Sequence, residues 1–233
     1  KWNITKGRTS KNPSSIYYHG PSPASESEVQ GIMSLSKKEN FAITVSVHCC
    51  TKGRIYHGYT TGNTKNPQPH INKHFAKIMS KKSKKPDGNL YKSARWVYPV
   101  YGADQDWFHH EIGSIALLIE TPKTTSVAQR RSLSKGLMPG FWALLDEYNS
   151  KPKVRVQVQF NGKPVKAKIM ANDIKYFENE AFHSDTTHGI REIVYLTPGA
   201  KTITIEYKGK TKEINVNAQP GESTIKVDMN SVT

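Results

Sequence analysis

Only two cysteines occur among the 233 residues, and they are neighbours, Cys49 and Cys50. A disulfide framework needs pairs spread along the chain, so a small disulfide-stapled domain is excluded. Adjacent cysteines close a ring only at a cost in geometry, and they lack the spacing of a single-chain zinc finger. Cysteine usage therefore leaves the redox compartment open. Nowhere is there an apolar run of about 18 residues, which excludes a transmembrane helix. Acidic residues are scarce, 19 against 34 basic, for a net charge of +15. The lysines are scattered, densest in "KIMSKKSKKPDG" at 77–88, and no aromatics interleave with them. That pattern argues against nucleic acid as a partner and for a solvated face, or for attraction to polyanionic surfaces such as envelopes. The first residue is Lys, and "KWNITKGRTS" has no signal-peptide core. The expectation is that the chain begins inside a longer product.

What is present is enough to fold. Hydrophobic residues make up 36% and aromatics 9%, and the length suits two domains. Residues 3–25 are rich in Ser, Pro, Gly and Asn and read as irregular loop. "SESEVQGIMSLSKK" reads as a helix with Ser25 as N-cap and Val29, Ile32, Met33 and Leu35 as its apolar stripe. "QPHINKHFAKIMSKK" repeats apolar positions at helical spacing. "PDGNLYKSARWVYPVYGADQDW" shows no period and reads as loop, with a short helix after it. "SVAQRRSLSKGLMPGFWALLDEY" reads as a long helix that Gly136, Pro139 and Gly140 threaten to split. From Lys151 the period changes to two: "KVRVQVQF" turns on Asn161-Gly162, and similar short strands follow. The pattern predicts an α/β domain over 1–150, its sheet covered on both faces, and a small all-β sandwich over 151–233.

Two apolar runs carry the chemistry. "FAITVSVHCC" at 41–50 reads as a strand ending at His48, and "SIALLIE" at 114–120 as one ending at Glu120. Ligands of open α/β sheets collect at the carboxyl ends of strands. A buried carboxylate there is costly unless a cation attends it. A histidine beside a carboxylate in a cleft suits metal-assisted hydrolysis. A lone strand-end histidine is also commonly structural, so the spacing by itself leaves both readings open.

The flanking segments narrow the choice. "SSIYYHGPSPASESEVQGIM", "VSVHCC…GRIYHGYTTGN" and "YPVYGADQDWFHHEIGSIALLIET" resemble, in this order, the zinc metallocarboxypeptidases of the funnelin type. In that family a tyrosine stands eight residues before an Asp-Trp pair, and a glutamate closes a strand fourteen after the Asp. Here these positions are Tyr98, Asp106-Trp107 and Glu120. The resemblance implies a mixed-sheet carboxypeptidase-like domain, zinc as cofactor, and a peptide or peptide-like substrate. His48 resembles the third zinc ligand, and Glu120 the general base that deprotonates the zinc-bound water and passes the proton to the leaving amine. Tyr98 resembles the tyrosine that closes over the substrate's last residue. Gln105 matches the floor of the specificity pocket, which it would make polar. Cys49 and Cys50 match positions lining the cleft, often across a non-proline cis peptide, and are expected to bind no metal. The β-rich part from 151 resembles the transthyretin-like domain of one branch, and the family suggests a secreted or periplasmic location.

The sequence also departs from the family. The first two zinc ligands come from a His-x-x-Glu motif that nothing before His48 supplies; the only earlier histidine, His19, matches a non-ligand position. The arginine for the substrate carboxylate is missing, as is the Asn-Arg segment that in relatives precedes a tryptophan resembling Trp2. One ligand does not hold catalytic zinc. The expectation is therefore the C-terminal part of a carboxypeptidase domain, inactive without an N-terminal part as its partner. A carboxypeptidase acting on cell-wall peptides and a non-catalytic binding protein on a degraded peptidase fold are the alternatives. The remaining histidines, His109-His110, His70 with His74 and His183 with His188, read as surface residues.

Overall fold

A computed structural model describes residues 10–57, 69–95, 103–172, 174 and 181–231. Helix α1 (Ser27–Glu39) precedes β1 (Ile43–Thr51), β2 (Arg54–His57) and α2 (Pro69–Lys82). A short β3 (Lys92–Ala94), α3 (Asp104–Trp107) with a π-helix (Phe108–Ile112), β4 (Ile115–Pro122) and the long α4 (Val127–Ser150) follow. The four strands form one sheet in the order β1-β4-β2-β3, with β1 parallel to β4 and β2 antiparallel to it.

Alternation along the strands splits the sheet into two faces. Ile43, Val45, Ile55, Ile115, Leu117 and Ile119 point to one side and form a core with Ile71, Phe75 and Met79 of α2 and Leu137 and Leu144 of α4. Ala116 on the other side packs on Phe108 and Ile112 of the π-helix and on Trp107. The sheet is thus covered on both faces, as the near-continuous apolar run of β4 requires.

Several expectations change. Glu26, not Ser25, is the N-cap of α1, and the Ser25 hydroxyl donates to the Glu26 carboxylate. The stripe of α1 is not buried: Val29, Ile32 and Leu35 are exposed, and Ser36 is the helix's buried residue. The segment read as loop holds β3, because Ser93 and its neighbours pair with β2. Helix α4 is unbroken through Pro139. Its glycines serve contact: a Cβ at Gly136 would lie 2.2 Å from the Lys84 carbonyl, and one at Gly140 1.9 Å from the Ser83 hydroxyl. The Lys84 amide donates to the Gly136 carbonyl at 2.8 Å, so α4 needs those glycines to lie against the end of α2.

Beyond α4 the described residues form the strands β5 (Pro152–Phe160), β6 (Lys163–Pro164), β7 (Lys168–Ala171), β8 (Phe182–His183), β9 (Ile190–Val194), β10 (Gly199–Tyr207), β11 (Lys210–Ala218) and β12 (Gly221–Asp228), followed by a 3-10 turn (Met229–Ser231). One sheet runs β11-β10-β7-β8; in the other β5 lies between β12 and β6 and also pairs with β9. Val154, Val156 and Val158 of β5 face Ile169, Ile203 and Ile205 across a shared core. The β5–β6 turn places Asn161 and Gly162 both at positive φ, the conformation that the Asn-Gly pair anticipates. Among the described residues, no helix is long and apolar enough to cross a membrane.

Candidate active site

The two apolar strands meet. In the parallel ladder Ser46 pairs with Leu118 and His48 with Glu120, so these side chains share one face of the sheet. Both strands run past the site residues, β1 to Thr51 and β4 to Pro122. The Thr121 hydroxyl donates to the His48 carbonyl at 3.0 Å and ties the two strand ends together.

The environments of the pair differ. His48 is exposed, whereas Glu120 is 8% exposed and its buried Oε2 has no hydrogen-bond partner among the described residues. Burial raises the Glu120 pKa, and the nearby His48 partly offsets it. A carboxylate so placed is a proton acceptor of raised basicity, the property a general base needs.

Arg54 continues the row. It pairs with Glu120 from the other side, across the antiparallel β2–β4 ladder, and is exposed on the same face. Its charge and hydrogen bond lower the pKa of Tyr56, which burial raises by more. Sequence reasoning missed Arg54 because "GRIYHG" is too short a run to announce a strand, and without the strand its register with Glu120 is invisible.

Helix α3 closes the lower part of this face. The Ser46 hydroxyl hydrogen-bonds the Asp104 carboxylate, anchoring α3 to β1. Gln105 is 2% exposed, and its side-chain NH2 has no hydrogen-bond partner among the described residues. Asp106 is equally buried. Cys49 and Cys50 are exposed, joined by a disulfide, and linked through a cis peptide bond. Neither is therefore a free thiol, and neither is available as a thiolate ligand. Tyr98 and Trp2 lie outside the described residues.

Of the histidines read as surface residues, His109 is a core residue instead. It is 2% exposed, donates from Nδ1 to the Ser114 carbonyl at 2.8 Å, and burial drives its pKa down to about 3. His74 donates to the Glu147 carboxylate at 2.5 Å, which Lys151 also pairs at 2.8 Å.

The family model for zinc carboxypeptidases matches residues 1–156. This chain belongs to the zinc carboxypeptidase family. A comparison with curated proteins finds no match. The chemistry of this zinc carboxypeptidase is hydrolysis of the carboxypeptidase type, in a family that depends on zinc. The described residues do not complete a zinc site, since they hold no group of three His, Cys, Asp or Glu side chains that could hold a metal. Around Glu120 they offer one histidine, short of the three protein ligands a catalytic zinc takes.

Proposed function

We propose that the chain forms the C-terminal part of a zinc-dependent exopeptidase that hydrolyses the last peptide bond of a peptide or peptide-like substrate, with Glu120 as its general base. One observation carries this reading: His48 and Glu120 are register partners on two parallel strands, on the face beside α3. Glu120 takes a proton from the attacking water and returns it to the leaving amine. Its burial raises its basicity and suits the first of these transfers, the uptake of the proton. His48 would contribute one zinc ligand, and the others must come from outside the described residues. Gln105 would floor the pocket for the substrate's side chain, and the Cys49–Cys50 pair would line the cleft.

An N-terminal part of the same catalytic domain is the partner this reading requires. The outer edge of β1 supports it, since among the described residues β1 pairs only with β4, and Val47 is exposed. An open edge bearing apolar side chains is one that another strand normally covers. We assign residues 151–233 to a separate transthyretin-like domain on the strength of its two packed sheets, and a secreted or periplasmic location as the setting. Cell-wall peptides are the second reading of the substrate. The exposed Lys73, Lys77 and Lys81 on one face of α2 favour it, because they would attract an anionic polymer.

The test is Glu120→Gln in the complete enzyme. Turnover of peptides ending in Lys, Arg or Phe should fall about 10²–10⁴-fold with zinc content retained. Turnover near that of the parent would remove Glu120 as the base. Muropeptides assayed beside ordinary peptides decide between the two substrates.

A further inference from the structure

The helical segment that carries Gln105 is held at both ends, and its far end is held from the β-rich part. Arg191 of β9 is 1% exposed. Its Nη2 donates to the His110 carbonyl of the π-helix at 3.0 Å and its Nε to the His183 carbonyl of β8 at 2.8 Å. The guanidinium lies 4.6 Å over the Phe182 ring, whose neighbour, 5.5 Å away edge-on, is the His109 ring. Gly113, at φ 87°, ends the π-helix. A Cβ there would stand 1.8 Å from Arg191 Nη1, so only a glycine lets the guanidinium tuck under the helix end. Outside this contact Lys166 pairs with Glu111 at 3.5 Å, and the Glu111 pKa is lowered to about 2, first by the His110 hydrogen bond.

The last carbonyls of a helix have no partner within it and carry partial negative charge, so a buried cation is well matched to them. The Phe108 amide bridges the Asp104 and Gln105 carbonyls, making residues 104–112 one continuous helical rod. Ser46 fixes its first residue and Arg191 its last turn. Gln105 sits between those anchors.

From this geometry we infer that Arg191 is a positioning residue: through the π-helix it sets the depth of Gln105 in the substrate pocket, making the β-rich part a contributor to specificity. The inference rests on the reading of Gln105 as the pocket floor. A lysine at position 191 keeps the charge but cannot reach both carbonyls in the fixed geometry of the guanidinium fork.

Amide hydrogen exchange of this chain carrying Arg191→Lys tests the coupling. Exchange across 104–113 should quicken about tenfold while β10 and β11 keep the protection of the parent. No change in 104–113, or equal quickening in β10 and β11, overturns the coupling. Should Arg191→Lys fail to fold, Phe182→Leu removes the ring beneath the guanidinium and should quicken the same segment selectively; its failure to do so overturns the coupling equally. In the complete enzyme, Arg191→Lys should shift the ratio of kcat/KM between peptides ending in Lys and in Phe by about tenfold, through KM with kcat held within about twofold. Selective exchange with an unchanged ratio would leave the rod's anchoring intact, overturn Gln105 as the pocket floor, and with it Arg191's role in specificity.

Discussion

Strands β1 and β4 lie side by side, pair residue for residue from Ile43–Ile115 to Cys49–Thr121, and each begins at an isoleucine. Their fates differ. Every residue of β4 from Ile115 to Thr121 is buried, whereas β1 is half-buried at its start and exposed from Val47 to Cys50. The cause lies in the neighbours: β4 has β1 and β2 beside it and helices on both faces, while among the described residues β1 has a strand on one side only. An apolar run declares that a strand is made to be covered; which strands do the covering is decided elsewhere in the chain. The proposed catalytic pair straddles this divide, with the buried Glu120 on the covered strand and the exposed His48 on the open one.

The contrast can be broken most sharply by chemistry. In the complete enzyme, Glu120→Gln should keep zinc and lose about 10²–10⁴ in kcat, as proposed above, whereas His48→Gln should lose the metal itself. Metal analysis beside kinetics separates the two, and equal zinc retention would deny His48 a ligand role. Stability comes next. Leu117→Ala, at a site 0% exposed on β4, should cost about 2–5 kcal/mol in urea unfolding. A cost below about 1 kcal/mol would mean that β4 is not the centre of this core.

The residue that holds the entry to β4 gives a pH effect. His109, bound to the Ser114 carbonyl, keeps its pKa at about 3, whereas in the unfolded chain it protonates near 6.5. Between those values the unfolded chain binds the extra proton, so stability rises with pH and is lost as pH falls from about 6.5 toward 3. The slope is about 1.4 kcal/mol per pH unit for this proton. His57, depressed to about 4, first by burial and then by Lys73, Arg95 and Lys77, adds to the upper part of the same window. His109→Gln should flatten the slope measured by urea midpoints at stepped pH; an unaltered slope would place the histidine's proton elsewhere. The smallest effect belongs to β1. Val47→Ala, at a residue 55% exposed, should change the stability of this chain by less than about 0.5 kcal/mol. It should matter more once the proposed N-terminal part is bound, and a similar small effect in the complete enzyme would argue that nothing covers this edge.

Much of this was legible in the sequence. The period-two stretch from Lys153, the Asn161-Gly162 turn and the apolar run of β4 each announced their structure through local chemistry. His48 and Glu120 were legible because each stands near the carboxyl end of such a run. What escaped depends on distant partners. Pro139 looked like a helix breaker because the approach of Lys84 and Ser83 to Gly136 and Gly140 cannot be seen in sequence. His109 looked like a surface residue because Phe182, which packs on its ring, comes from β8, and the turn that brings the Ser114 carbonyl to its Nδ1 shows only in the fold. The exposed stripe of α1 is the opposite case, where the periodicity is helical but no described element covers it.

The join between α4 and β5 holds one more consequence. Lys153, buried at the start of β5, donates from Nζ to the Tyr148 carbonyl at 2.9 Å and to the Lys151 carbonyl at 3.0 Å, and burial lowers its pKa. The ammonium that finishes the helix thus belongs to the first strand of the β-rich part. A chain shortened after Ser150, where composition invites the cut, would lose that plug and leave the last turn of α4 to fray. A protease seeking the seam between the two parts would find it stitched shut.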